Sequence, residues 1–242
     1  RGISPPVRKL NNGHMNLVID LGNSYGKIAV CKDKEVLESA VYPSITITEI
    51  DYFITAYPDL RGAIFSSVAN HSREIIDFLD STFDIFLELN NHTPLPLINR
   101  YRTPETLGYD RIAAVTGAHT IYPKSNVLVI DAGTAITYDL VTREGEYRGG
   151  SISPGLTMRY KAMHRFTNRL PMVDPPRKDE VLIGTTTEEA MVSGVMNGIR
   201  FEIDGYISAI KQQFDHLKVV MTGGDTKSFD KKLKNSIFVH SH

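Results

Sequence analysis

The sequence predicts an α/β protein made of two halves that echo one another. Apolar, β-branched runs alternate along the chain with amphipathic helical patterns. An apolar strand that stops at Asp-x-Gly is written twice, as "NLVIDLGNSYGKIAV" from Asn16 and as "VLVIDAGTAITYDLV" from Val127. The 242 residues suffice for one large domain or two modest ones, and neither a Gly/Ser linker nor a low-complexity stretch separates the copies.

The opening "RGISPPVRKLNNGH" lacks the apolar core of a signal peptide and precedes Met15, so residues 1–14 read as a leader ahead of the folded region. "NLVID" is then the first strand, "YGKIAVCK" the second and "GAIFSSV" a third, followed by the amphipathic helix "SREIIDFLDSTF". The second half repeats the style with "NVLVIDAG", "AITYDLVT" and "LKVVMTGG". Between them, Met191, Val195, Ile199, Ile203, Ile207, Ile210 and Phe214 recur at three- and four-residue steps, the buried stripe of one long helix over 187–214. "NNHTPLPLINRYRTPE" and "RLPMVDPPRKDE" are the longest irregular stretches, and long ordered loops often belong to sites.

Composition narrows the function. Lys and Arg total 27 against 28 Asp and Glu, and a net charge of −1 supplies no general field for nucleic acid or an anionic membrane. Any bound anion must be gripped locally. The single Cys31 excludes an internal disulfide and favours a reducing compartment. Apolar runs such as "VLVI" fall far short of the roughly 20 residues of a membrane span. The expectation is a soluble cytoplasmic protein that uses neither nucleic acid nor membrane.

The internal match is specific at its centre: Leu17, Val18, Ile19, Asp20 and Gly22 recur as Leu128, Val129, Ile130, Asp131 and Gly133, at a constant spacing of 111 residues. Each copy reads as a β-hairpin whose tip is built for close approach. Gly22 and Gly133 remove Cβ atoms where phosphate oxygens must reach backbone N–H groups, and Asn23, Ser24 and Thr134 can add hydrogen bonds. Asp20 and Asp131 can hold a cation that offsets phosphate charge, and Lys27 can supply a positive charge directly. A lone Asp-Gly hairpin is usually a plain turn; the half-chain repeat tips the balance towards a duplicated phosphate grip. "TGGD" at Thr222–Asp225 follows another apolar strand, where Gly223 and Gly224 would pass close to a nucleoside and Asp225 would accept ribose hydroxyls. The eight His residues are scattered without paired metal spacing.

Two such hairpins and a late Gly-Gly loop resemble the acetate and sugar kinase, DnaK-type chaperone and actin superfamily. That resemblance implies two tandem ribonuclease-H-like (actin-like ATPase) domains with an interdomain nucleotide cleft, divided here as 15–125 and 126–242. Within it the pattern is similar to the type III pantothenate kinase family. "DLGNSYGK" (Asp20, Leu21, Gly22, Asn23, Ser24, Tyr25, Gly26 and Lys27) resembles its first phosphate loop and "DAGTA", with Gly133 and Thr134, its second. "PETLGYDR" resembles its Gly-x-Asp-Arg substrate motif, "GGSISPG" its Gly-Gly-x-Ile-x-Pro-Gly segment and "TTTEEAMVSG" its Thr-x-Glu-Ala helix start. Ser24 stands where Thr is commoner, and the end "NSIFVHSH" lacks the family's Leu-x-Leu-x-Gly-Leu finish, so the expectation there is a chain cut short or a last element that departs from the family.

The resemblance implies an enzyme that moves the ATP γ-phosphate to the primary hydroxyl of pantothenate, the first step towards coenzyme A. It makes Asp110 the proton acceptor, at the N-terminus of a helix that begins near Tyr109. Gly108, Tyr109, Asp110 and Arg111 would form the substrate motif, with Arg111 clamping the pantothenate carboxylate through its planar fork, or else serving only in a surface ion pair. Tyr101 resembles a substrate-contacting tyrosine. Thr186 and Thr187 open the long helix, where Thr186 with Glu189 also makes a capping box. "GGSISPG" reads as a loop against the substrate, its glycines permitting close approach. Asp131 resembles the ligand of a monovalent cation, K⁺ or NH₄⁺, and Mg²⁺ would accompany ATP. The family builds its site across a homodimer, and small residues around Ala113–Gly117 and Gly194–Gly198 would permit close helix packing, there or in the core. A catalytically silent nucleotide- or pantothenate-binding relative is the alternative, and a chaperone- or actin-like ATPase is a third reading, for which 242 residues leave little room.

Overall fold

The computed structural model describes residues 14–33, 35–68, 71–90, 92–175, 181–229 and 232–239. The leader expected over 1–14, apart from His14, and the end of "RLPMVDPPRKDE" lie outside the described residues. The chain divides into two units: one runs to Thr93 and includes Gly108–Asp110, and the other comprises Pro94–Leu107 and everything from Arg111.

The first unit carries β1 (Met15–Leu21), β2 (Gly26–Lys32), β3 (Glu35–Tyr42), α1 (Ile47–Ala56), β4 (Leu60–Ser67), α2 (Arg73–Thr82) and β5 (Ile85–Glu88). Its sheet runs β3-β2-β1-β4-β5, antiparallel through the first three strands and parallel from β1 to β5. In β1, Met15, Leu17, Ile19 and Leu21 alternate with less buried residues, and a period of two commits one face to the core. They pack with Ile28, Val30, Ile50, Phe53, Phe65 and Leu79. Full burial of each such side chain contributes about 1.5–3 kcal/mol. α1 starts in a capping box of Thr46 and Glu49, and α2 at the Ser72 hydroxyl, which accepts from the Glu74 amide.

The second unit holds β6 (Ile98–Asn99), most of α3 (Tyr109–Ile121), β7 (Val127–Ala132), β8 (Ala135–Val141), β9 (Glu146–Pro154), α4 (Leu156–Phe166), α5 (Thr187–Lys211), β10 (Lys218–Thr222) and β11 (Phe238–Val239). Its sheet runs β11-β10-β7-β8-β9-β6. With the short edge strand β6 set aside, order and sense repeat those of the first unit: β7, β8 and β9 are antiparallel neighbours, while β10 and β11 run parallel to β7. The duplication read in the sequence is therefore a duplication of topology, the ribonuclease-H-like sheet written twice.

Two local expectations change. "GGSISPG" is not a loop, because β9 runs through it to Pro154 and pairs with β8 residue by residue from Pro154 back to Gly149. The long helix stops at Lys211, so Ile210 is only half-buried and Phe214 lies beyond its end, whereas Met191, Val195, Ile199, Ile203 and Ile207 are buried as the stripe required. Among the described residues no helix is long and apolar enough to cross a membrane.

Candidate active site

In the first unit, β1 and β2 close into the expected hairpin. The Gly22 amide donates to the Tyr25 carbonyl at 3.1 Å, leaving Asn23, Ser24 and Tyr25 exposed at the tip. Gly26 is buried because a Cβ there would meet the Ile45 side chain at 2.6 Å. Leu21 through Gly26 line a cavity of about 600 Å³, whose other walls are Pro43–Thr48, His71, Ser72, Glu74 and Ile75. The lining is mixed: Ser24, Ser44, Thr46, Thr48 and Ser72 offer hydroxyls beside the apolar Leu21, Pro43, Ile45, Ile47 and Ile75, as a site that both buries and hydrogen-bonds a ligand requires.

Asp20 stands opposite Lys27 on one side and Ser66 on the other. Burial pushes its carboxyl above the ordinary carboxylate value; the Ser66 hydroxyl and the Lys27 ammonium oppose that, and the charge of Asp110 adds to it. Asp110 lies in the first turn of α3, as the sequence required, where the helix dipole favours a carboxylate. Gly108 leads into that helix and Tyr109 opens it. Asp20 and Asp110 belong to the same unit, and the charge of Asp110 reaches Asp20.

In the second unit the Gly133 amide donates to the Ala135 carbonyl at 3.1 Å, so the β7–β8 tip is reduced to Gly133 and Thr134. Asp131 is the penultimate residue of the central strand β7, between Thr137 and Thr222. Two glycines from elsewhere abut this tip. Gly155 donates its amide to the Thr134 carbonyl at 3.1 Å, and a Cβ on it would run into the Gly133 and Thr134 carbonyls. Gly223, at φ +97°, faces Asp131 with no side chain, and a Cβ there would fill the space beside the carboxylate. A carboxylate with carbonyl oxygens around a cradle kept open by glycine fits a hard cation. The Asp225 amide donates to the Ala132 carbonyl at 2.9 Å, and burial pushes its carboxyl upward.

Arg111 is not in a surface ion pair. It is 6% exposed and forks onto Asp139, itself 1% exposed, with Nη2 to Oδ1 at 2.6 Å and Nε to both oxygens at 3.1 Å. Burial works against the guanidinium charge, but the hydrogen bond and charge of Asp139 outweigh it and leave the pKa above the ordinary arginine value. The Tyr147 hydroxyl donates to Asp139 at 2.7 Å. Tyr101 stacks on Tyr147 with ring centres 6.1 Å apart, and the Arg111 guanidinium carbon lies 5.6 Å from the Tyr101 ring centre.

At the start of α5, Thr186 is the N-cap: its hydroxyl accepts from the Glu189 amide at 3.1 Å, and the Glu189 carboxylate accepts from the amides of Thr185 and Thr186. The capping box read from the sequence is present. Thr187, one residue on, is exposed.

Asp139 and Tyr147 were missed by the sequence reading, as was the pair in which Glu202 accepts from Tyr138 at 2.8 Å and from Arg159 at 2.6 Å. A charged residue inside the apolar run "AITYDLV" was the available signal, since a buried carboxylate demands a partner.

A duplicated ribonuclease-H-like sheet with an Asp-x-Gly hairpin closing the central strand of each copy defines the actin-like ATPase class of fold. A solved Campylobacter jejuni structure described as a Baf family transcriptional activator shares that fold, with a TM-score of 0.58 at 22% identity over 92% of this chain and 90% of that one. Sequence makes the assignment narrower. The profile of the type III pantothenate kinase family matches residues 16–209, and the chain belongs to that family. The type III pantothenate kinase of Bacteroides fragilis ATCC 25285 is 46% identical over 93% of this chain and 91% of its own length; that of Christiangramia forsetii is 43% identical over 94% and 93%. Membership of a kinase family brings with it the use of ATP and a divalent cation.

Proposed function

We propose that this chain phosphorylates pantothenate to 4′-phosphopantothenate at the expense of ATP, the first step of coenzyme A synthesis. The observation that carries the reading is the family match across 16–209, which contains the Asp-x-Gly, Gly-x-Asp-Arg and Gly-Gly-x-Ile-x-Pro-Gly segments intact.

An alcohol is a far weaker acid than a carboxylic acid with its reference pKa of about 3.9, so no aspartate removes the hydroxyl proton in advance. In a loose phosphoryl transfer the hydroxyl turns acidic only as the new bond forms. Asp110 aligns the oxygen and accepts the proton at that moment; its support is a place in the first turn of a rigid helix, in reach of the charge on Asp20. Asp20 through Lys27 are assigned to the ATP phosphates, as are Gly133 and Thr134, and Asp20 would hold the divalent ion that offsets phosphate charge. Asp225 accepts ribose hydroxyls. Arg111, Tyr101, Gly108 and Tyr109 line the pantothenate site, and Thr187 reaches it while Thr186 caps the helix.

Asp131 would hold K⁺ or NH₄⁺, which supplies a fixed positive charge near the phosphates; the glycine-kept cradle beside it supports this. The enzyme acts as a homodimer in the cytoplasm. In support, the Cβ positions of Gly117 and Gly194 face open space, so these small residues lie on accessible faces of α3 and α5. Cys31 is a free thiol, which suits a reducing compartment. The deciding experiment is a coupled kinase assay with pantothenate, with and without K⁺ or NH₄⁺, alongside light scattering for the dimer. Turnover of ATP that pantothenate does not stimulate would remove the reading.

A further inference from the structure

The strongest uncommitted group in the molecule is Asp139. It is a carboxylate in the middle of β8, in a run whose neighbours Tyr138, Leu140 and Val141 are all buried. A lone charge in such a strand costs several kcal/mol unless it is paired and hydrogen-bonded. Asp139 meets that demand in full: Oδ1 accepts from Nη2 of Arg111 and from the Tyr147 hydroxyl, and both oxygens accept from Nε of Arg111.

The surrounding backbone is shaped around this pair. Gly150 stands directly opposite Asp139 in the β8–β9 ladder, and a Cβ there would lie 2.8 Å from Oδ1 of Asp139 and would run into the Tyr138 carbonyl. Gly149, at φ +90°, leaves room for Tyr101, whose ring a Cβ would meet at 3.2 Å. Between the Tyr147–Val141 and Gly149–Leu140 pairs the ladder shifts register. That bulge places Tyr147 and Gly149 so that one stacks on Tyr101 while the other gives it space. The Gly-Gly of "GGSISPG" is therefore a packing device around Asp139 and Tyr101. Burial and the Asp139 charge both push the Tyr147 phenol upward, which keeps it a donor.

The geometry points to Asp139 as the positioning residue of the pantothenate site: with Tyr147 it locks the Arg111 guanidinium and, through the stacked rings, Tyr101 in one fixed arrangement, without itself touching substrate. This rests on the reading that Arg111 and Tyr101 contact pantothenate. A salt bridge of purely structural value would leave substrate affinity alone once the protein had folded. A positioning pair instead sets how much ordering pantothenate must impose on the two side chains when it binds.

The test is steady-state kinetics with pantothenate and ATP varied separately, on wild type, Asp139→Asn and Tyr147→Phe, with thermal melting of each. Asp139→Asn keeps the shape and removes the charge; KM for pantothenate should rise about ten-fold or more, with KM for ATP unchanged and kcat within about three-fold. Tyr147→Phe removes one hydrogen bond without unpairing a charge and should move KM for pantothenate the same way by about three-fold. If Asp139→Asn does not fold, Tyr147→Phe decides alone. An active wild type with unshifted pantothenate KM in the folded variants overturns the positioning role and leaves the kinase reading intact. Losses that fall equally on both substrates, in step with melting temperature, also overturn it. A wild type that does not phosphorylate pantothenate at all removes both.

Discussion

Gly223 turns its missing side chain towards Asp131: at φ +97° it sits where any Cβ would press into the carboxylate and the Ala132 carbonyl. Gly223→Ala should therefore cost about 1–3 kcal/mol through its backbone conformation alone and should also displace Asp131. The expected outcome is a lower melting temperature and a raised half-saturating K⁺ or NH₄⁺ concentration for activation. A variant with wild-type activation by the ion would separate Asp131 from cation binding.

Asp110→Asn preserves shape and removes the proposed proton acceptor. We expect kcat to fall about 10²–10⁴-fold, with KM for ATP unchanged and the far-UV spectrum intact. Comparable turnover in this variant would move the base elsewhere.

Asp139→Ala leaves the 6%-exposed Arg111 guanidinium without its counter-charge. Urea denaturation should show a loss of about 3–5 kcal/mol. The double variant Arg111→Met with Asp139→Leu, read for stability only, should recover most of it, because matched apolar side chains avoid the desolvation of both ions. Equal instability of the single and double variants would show that the site depends on the ions themselves.

Burial raises the Asp225 carboxyl above its ordinary value of 3.8, so the folded protein binds a proton there more tightly than the unfolded chain does. Stability therefore falls as pH rises from the unfolded value through the folded one, and the full cost remains above it. Asp225→Asn removes that cost. Its melting temperature should exceed wild type at about pH 7, and the gain should vanish below about pH 4. KM for ATP should rise in the same variant if Asp225 accepts the ribose hydroxyls.

Thr186 caps α5, and the proposed pantothenate contact at its start is Thr187. Thr186→Ala removes the cap on the Glu189 amide and should cost about 1 kcal/mol, a fall of roughly 2–4 °C in melting temperature for a chain of this size, with little change in KM. Thr187→Ala should do the reverse, weakening pantothenate binding with melting nearly unchanged. An inverted pattern would exchange their roles.

Both hairpins, the N-terminal position of Asp110, the Thr186 capping box and the buried stripe of α5 were legible because each depends on residues within a few positions of one another. The half-chain repeat added the one long-range fact that sequence can carry, since two copies of a local pattern imply two copies of a topology. The strand through "GGSISPG" was not legible. Its glycines suggest a loop, and only pairing with β8 makes them a strand whose Gly149 and Gly150 give way to Tyr101 and Asp139. The end of the long helix was misread for a related reason, since the apolar period continues to Phe214 after the backbone has left the helix at Lys211.

By itself the sequence determined the fold class, its duplication and the two Asp-x-Gly hairpins, because hydrophobic period, turn chemistry and capping act over short stretches of chain. Tertiary structure alone decided that Arg111 pairs with Asp139, that Tyr147 and Tyr101 stack beside the pair, and that Gly223 makes room for Asp131. Each of these joins residues far apart in the chain, and a buried charge chooses its partner only when folding has stripped water from both.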